Sequence, residues 1–139
     1  MEGPSPPIEG SSPDPGVGPF AGLLGVHRTA MGDGRSRFEL TLRSEHMNPH
    51  GVVHGGVVYA LVDYAMGGAL TSRLGPGERC ATLEIKINYV AAATEGRLAA
   101  DARVVARTAR IGVLEAHVHA EGGRLIALAT GTFFIQGPR

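Results

Sequence analysis

The stretch "NPHGVVHGGVVYALVD", residues 48 to 63, gathers most of the groups in this chain whose types and spacing could do chemistry. Asp63 is the one carboxylate inside an apolar run, and its neighbours at three and four positions, Tyr59, Ala60, Met66 and Gly67, offer no basic partner. Gly55 and Gly56 fall where a helix would begin, and helix starts present unpaired N–H groups at the positive end of the dipole. Without side chains there, a ligand oxygen can reach the amides. A Gly pair can also simply make a tight turn, and a single Asp on a helix is ordinarily a solvated residue. Here the strip that Asp63 shares is made of Gly56, Ala60 and Gly67 rather than polar side chains, which points to a ligand or a second chain approaching closely.

Spacing then limits what one chain can do. Eight residues separate Gly55 from Asp63, about 12 Å along an α-helix, so one copy cannot bring both to one reacting carbonyl. Two copies with antiparallel helices can, giving two equivalent sites across a twofold axis. Other arrangements are weaker. His46, His50 and His54 recur every four residues, the spacing of helical metal ligands, but Pro49 and Gly51 interrupt any helix there. His117 and His119 share a strand face and make only two ligands. Cys80 has no evident activating base.

The elements that must hold these groups follow from periodicity. Apolar residues at 57, 58, 61, 62, 65, 66, 69 and 70 predict a buried helix from Val57, with the Gly pair at its start, to Ser72 or Arg73, broken by "GPG" at 75 to 77. Before it, "FAGLLG" predicts a helical turn or two stopped by Gly25. "MGDG" at 31 to 34 predicts a hairpin turn between strands over 23 to 30 and 36 to 43. After the helix, "ATLEIKINY" at 81 to 89 alternates without exception, placing Thr82 on the polar side. Strands over 97 to 108, 111 to 120 and 124 to 135 complete the chain, the last apolar on both faces as a central strand would be. Two strands, one long helix and four strands predict an α+β fold: a helix wrapped by a curved antiparallel sheet of five to six strands.

The 139 residues suit a single domain. Residues 1 to 19 hold six of the nine prolines and predict a flexible tail, with the domain over 20 to 139. Thirteen basic and thirteen acidic side chains cancel, so neither nucleic acid nor an anionic membrane is expected as a partner. The single Cys80 excludes an internal disulfide and suits a cytoplasmic protein.

The motif Asn48, Gly51, His54, Gly55, Gly56 and Asp63, with the strand order over roughly 20 to 136, resembles the hotdog-fold acyl-CoA thioesterases, specifically the phenylacetate-degradation (PaaI-like) group. The resemblance implies that Asp63 is the catalytic carboxylate, acting as nucleophile or as general base. It implies that the Gly55 N–H is the oxyanion donor, that Asn48 positions the water or the carbonyl, and that His54 mostly organises the loop. Thr82 matches a position where some relatives carry a Ser or Thr that helps hold the water; a β-favouring Thr on a wet face is the alternative. Gly56 completes the Gly pair at the ligand. Arg107 and Arg110 match basic residues that meet the phosphates of coenzyme A.

The resulting expectation is a homo-oligomer, a dimer at least and in relatives commonly a dimer of dimers. It hydrolyses aryl- or phenylacetyl-type, or medium-chain, acyl-CoA to the free acid and CoA with no metal or other cofactor, coenzyme A being part of the substrate. The acyl pocket is expected near Tyr59, Tyr64, Met66 and Leu70. Hydratase relatives need a His paired with an acid, which this motif does not offer. A hotdog module that binds acyl-CoA without cleaving it is the alternative, and it would have no need of Asp63.

Overall fold

The computed structural model describes residues 17–138; the tail expected over 1 to 19 lies outside them up to Gly16. Pro19 opens the short helix α1 (Pro19–Leu24) at its first turn, where its missing N–H costs nothing, and Gly25 closes it at φ 79°. Strands β1 (His27–Gly32) and β2 (Arg35–Thr41) then form the expected hairpin. Asp33 at φ 54° and Gly34 at φ 76° make the two-residue turn that matches strand twist. The first strand therefore runs further than the expected 23 to 30 at its end and starts later, because residues 19 to 24 coil into α1.

Helix α2 (Gly55–Thr71) buries Val57, Val58, Leu61, Val62, Ala65, Met66, Ala69 and Leu70, the positions its periodicity picked out. Each fully buried aliphatic side chain contributes roughly 1.5–3 kcal/mol relative to exposure. The helix end is tied to the opening hairpin: Ser72 Oγ accepts from Gly34 N–H at 2.7 Å, and Arg73 Nη2 donates to the Asp33 carbonyl at 2.9 Å. Strands β3 (Arg79–Tyr89), β4 (Arg97–Arg107), β5 (Ile111–Ala120) and β6 (Leu125–Gln136) follow.

The six strands form one antiparallel sheet in the order β1-β2-β4-β5-β6-β3. Irregularities in the ladders of β1 with β2, β3 with β6, β4 with β5 and β5 with β6 bend it around α2. This is the expected α+β hotdog architecture, one long helix held in a curved sheet. As expected, β6 is central, between β5 and β3, with Ala127, Ala129, Phe133 and Ile135 packed inward.

Strand β3 departs from its expected phase. Its register against β6 slips between Thr82 and Glu84, leaving Leu83 as an extra residue. Thr82 therefore pairs with buried Phe133, while Ile85, Ile87 and Tyr89 pair with Gly131, Ala129 and Ala127. Pairs directly opposite each other share a face, so Thr82 lies on the helix side with the isoleucines. The polar-side placement read from unbroken alternation is overturned by the bulge, and Leu83 is turned out, 57% exposed.

Candidate active site

Asp63 sits midway along α2 on the side facing β3. Thr82 Oγ1 donates to Asp63 Oδ1 at 2.7 Å, which fixes one carboxylate oxygen and leaves the other for chemistry. The pair lies in a cleft of about 260 Å³ whose walls include Tyr64, Gly67, Gly68, Cys80 and Phe133. Gly68 is small of necessity: a Cβ there would stand 2.7 Å from Phe38 Cε1. Phe38 in turn stacks on Tyr64 at 6.0 Å between centroids, closing the floor beside the carboxylate. Burial pushes the Tyr64 hydroxyl and the Cys80 thiol up, and the Asp63 charge adds to both. Cys80 is thus held as a thiol, touching Thr71 Oγ1 at 3.9 Å, and is no nucleophile at neutral pH.

The other expected group lies at the N-terminus of the same helix. His54 is the N-cap: its Nδ1 accepts from Gly56 N–H at 2.8 Å, and its carbonyl accepts from Val57 N–H at 3.0 Å. Gly56 needs its missing side chain for this, since a Cβ would press on His54 Nδ1 at 3.0 Å. Among the described residues the Gly55 N–H has no hydrogen-bond partner, so it is the bare donor of this helix end. Asn48 supports the preceding loop: its Oδ1 accepts from His50 N–H at 2.8 Å and Val52 N–H at 3.3 Å. Beside Gly55 lies an apolar cleft of about 380 Å³ walled by Val52, Val53, Val58, Val90 and Ile126.

One residue of this end escaped the sequence reading. Tyr89 donates its hydroxyl to the Gly55 carbonyl at 2.8 Å from 34 positions away. Its only signal was an aromatic residue ending an alternating strand, which reads as core.

The structure brings Asp63 together with Thr82, and Gly55 with Gly56, His54 and the Asn48 loop. It does not bring Arg107 or Arg110 to either cluster. Arg107 grips Glu78 through both η-nitrogens, at 3.3 and 3.2 Å, and holds the Glu78 carboxyl below its ordinary range. Arg110 Nη1 donates to the carbonyls of Ile135 at 3.4 Å and Gly137 at 3.3 Å. Met66 and Leu70, expected to line a pocket, are instead fully buried core. His46 is buried with Nδ1 accepting from Arg43 N–H and Nε2 against the Leu24 carbonyl, so both ring nitrogens are spent. Among the described residues no three His, Cys, Asp or Glu side chains gather as a metal site, and no helix is long and apolar enough to cross a membrane.

Comparison with known proteins agrees with this layout. A conserved protein of Pseudomonas aeruginosa superimposes with a TM-score of 0.83 at 35% identity, covering 86% of this chain and 95% of that one. A mutant form of the phenylacetic acid degradation protein PaaI of Thermus thermophilus does so at 0.77 and 33% identity, covering 84% and 98%. A protein of Archaeoglobus fulgidus named "Putative esterase" is 33% identical over 113 residues, 81% of this chain and 71% of its own. The sequence profile described as Thioesterase superfamily matches residues 50–127, a span that holds α2 with both of its polar stations and their partners on β3. With the hotdog fold and the carboxylate and bare amide on one helix, that match makes the chain a hydrolase belonging to the Thioesterase superfamily.

Proposed function

We propose that the protein hydrolyses acyl-CoA thioesters of aryl, phenylacetyl or medium-chain acids to the free acid and CoA. The observation that carries this reading is the Asp63 carboxylate, fixed by Thr82 in an open cleft, on the same helix as the unpartnered Gly55 N–H. Asp63 attacks the thioester carbonyl or takes a proton from the water that does. Either route puts negative charge on the carbonyl oxygen, and the Gly55 amide, at the positive end of α2, receives it. Collapse expels the CoA thiolate: on the general-base route this leaves the acid directly, and on the nucleophilic route it leaves a mixed anhydride on Asp63 that a water opens to the acid and the regenerated carboxylate, with no metal or redox cofactor entering. The aliphatic cleft beside Gly55 suits the acyl group, and similarity to the phenylacetic acid degradation protein of Thermus thermophilus favours an aryl acid.

The spacing of Gly55 and Asp63 calls for two chains per site, Gly55 with Asn48 and His54 from one and Asp63 with Thr82 from its partner. Strand β3 supports such pairing: it is an eleven-residue sheet edge, and Leu83 on it and Val90 just beyond it are more than half exposed, a surface that proteins normally cover. The outer sheet face, where Val105, Leu128 and Phe134 are exposed, suits a second contact in a dimer of dimers. Arg110, held only by two long bonds to carbonyls, is the arginine more easily freed for a CoA phosphate; Arg107 would have to leave Glu78. The single cysteine suits work in the reducing cytoplasm.

The test is chromatographic measurement of CoA released from phenylacetyl-, hydroxybenzoyl-, short- and medium-chain acyl-CoAs by the native protein and by Asp63→Asn. Turnover that falls by orders of magnitude in Asp63→Asn is expected. Binding without hydrolysis, or equal turnover by both proteins, would sink the proposal.

A further inference from the structure

Two glycines in succession are the least restrained backbone available, and here they stand at a helix end whose N–H groups lack intrahelical partners. An oxyanion donor needs the opposite property, a fixed direction before the charge develops. The peptide joining Gly55 to Gly56 is held at both of its edges. On one edge the Tyr89 hydroxyl donates to the Gly55 carbonyl at 2.8 Å; on the other the Gly56 N–H donates to His54 Nδ1, also at 2.8 Å. The Tyr89 ring also lies flush on Gly55, with Cζ and Oη 3.2 Å from where a Cβ would stand. Tyr89 is itself fixed in the sheet, opposite Ala127 at the end of β3, so the clamp refers the helix end to a rigid element.

We propose that Tyr89 is a positioning residue for the reaction: with His54 as the opposite jaw it clamps the Gly55–Gly56 peptide and so fixes Gly55 from its carbonyl side, while the Val57 N–H holds the His54 carbonyl on the adjoining peptide that carries the Gly55 N–H, and the two together aim that N–H at the thioester oxygen. Tyr89 does not supply the donor itself. This rests on the thioesterase reading and adds to it how the bare amide is held. Burial raises the Tyr89 hydroxyl above its ordinary range, with Tyr59 adding to this, so it remains a donor throughout neutral and mildly alkaline pH.

The test is Tyr89→Phe, which keeps the ring and deletes the hydroxyl, assayed well below both melting transitions. Loss of one such hydrogen bond is expected to lower kcat about tenfold while KM stays within about twofold, because the interaction matters only once charge develops. A second readout needs no turnover: the Gly55 amide resonance in 15N-glycine-labelled protein, sharp in the native chain and broadened in Tyr89→Phe. Unchanged kcat, or an unchanged Gly55 resonance, overturns the clamp. If the native protein hydrolyses none of the acyl-CoAs, the thioesterase reading fails separately, and the Gly55 resonance alone decides whether Tyr89 holds the peptide.

Discussion

Deleting the oxyanion donor is usually impossible by mutation because it belongs to the backbone, but this helix permits it. Gly55 is the first helical residue, where proline is favoured, and His54 before it is already extended at ψ 135°, as a residue preceding proline must be. Gly55→Pro therefore removes one N–H and little else; its Cβ would meet Tyr89 at 3.2 Å, which asks the ring to give by a few tenths of an ångström. Loss of one such donor costs about 2.7–4 kcal/mol in the transition state, or roughly a hundred- to a thousandfold in kcat. Asp63→Asn, nearly isosteric, removes the other half. Because the two positions stand about 12 Å apart along α2, a site shared between chains must be complemented when the two variants are mixed. A dimer with one chain of each kind keeps one site intact and has one doubly altered, so it regains about half of native activity, and an unsorted equal mixture about a quarter. Differently tagged chains, co-expressed and purified through both tags, would be assayed by CoA release. A mixed dimer no more active than either parent would show that the site lies within one chain and would refute the spacing argument.

Three further outcomes follow from particular contacts. Thr82→Val should lower kcat roughly five- to thirtyfold, as expected for losing a partly solvated hydrogen bond to a carboxylate, whereas Thr82→Ser should stay near native; no loss in Thr82→Val, or an equal loss in Thr82→Ser, would refute the hydroxyl's role. Gly68→Ala should cost about 1–3 kcal/mol in urea unfolding, since its Cβ would stand 2.7 Å from Phe38 and 3.2 Å from Ser36. Stability should fall as pH rises beyond 9.0, the ordinary thiol value, because the unfolded chain releases the Cys80 proton that burial makes the native chain retain. Cys80→Ala should lessen that alkaline loss in urea titrations, and an unchanged slope would speak against it.

Local periodicity made much of this protein readable. The eight apolar positions of α2, the hairpin at Asp33 and Gly34 and the succession of strands each depend on neighbours a few residues apart. What stayed hidden depends on register. Alternation from Ala81 to Tyr89 is unbroken on paper, and nothing in the residue types announces that Leu83 is skipped by its partner strand. The contact of Thr82 with Asp63 therefore became visible only with β6 alongside. The hydroxyl of Tyr89 on Gly55, and Glu78 occupying Arg107, join positions 34 and 29 residues apart. Such meetings are decided by how the sheet curls, which no short window records. The histidine spacing misleads for a related reason: His46 ends a single 3-10 turn, His50 lies in a loop and His54 is a helix cap, so recurrence every four residues has no geometric meaning there.

The bulge at Leu83 welds two traits that a designer would keep separate. A single supernumerary residue rotates Thr82 toward the acid and, in the same stroke, throws Leu83 outward on the open rim of the sheet. A change that let β3 and β6 zip evenly with every residue retained would undo both together, turning the hydroxyl from Asp63 and Leu83 inward. Natural drift at this point is consequently constrained by two demands at once. Conversely, deleting Leu83 would leave Thr82 opposite Phe133 and Ile85 opposite Gly131 in an even ladder, removing the outward leucine while keeping the hydroxyl on the side of the acid.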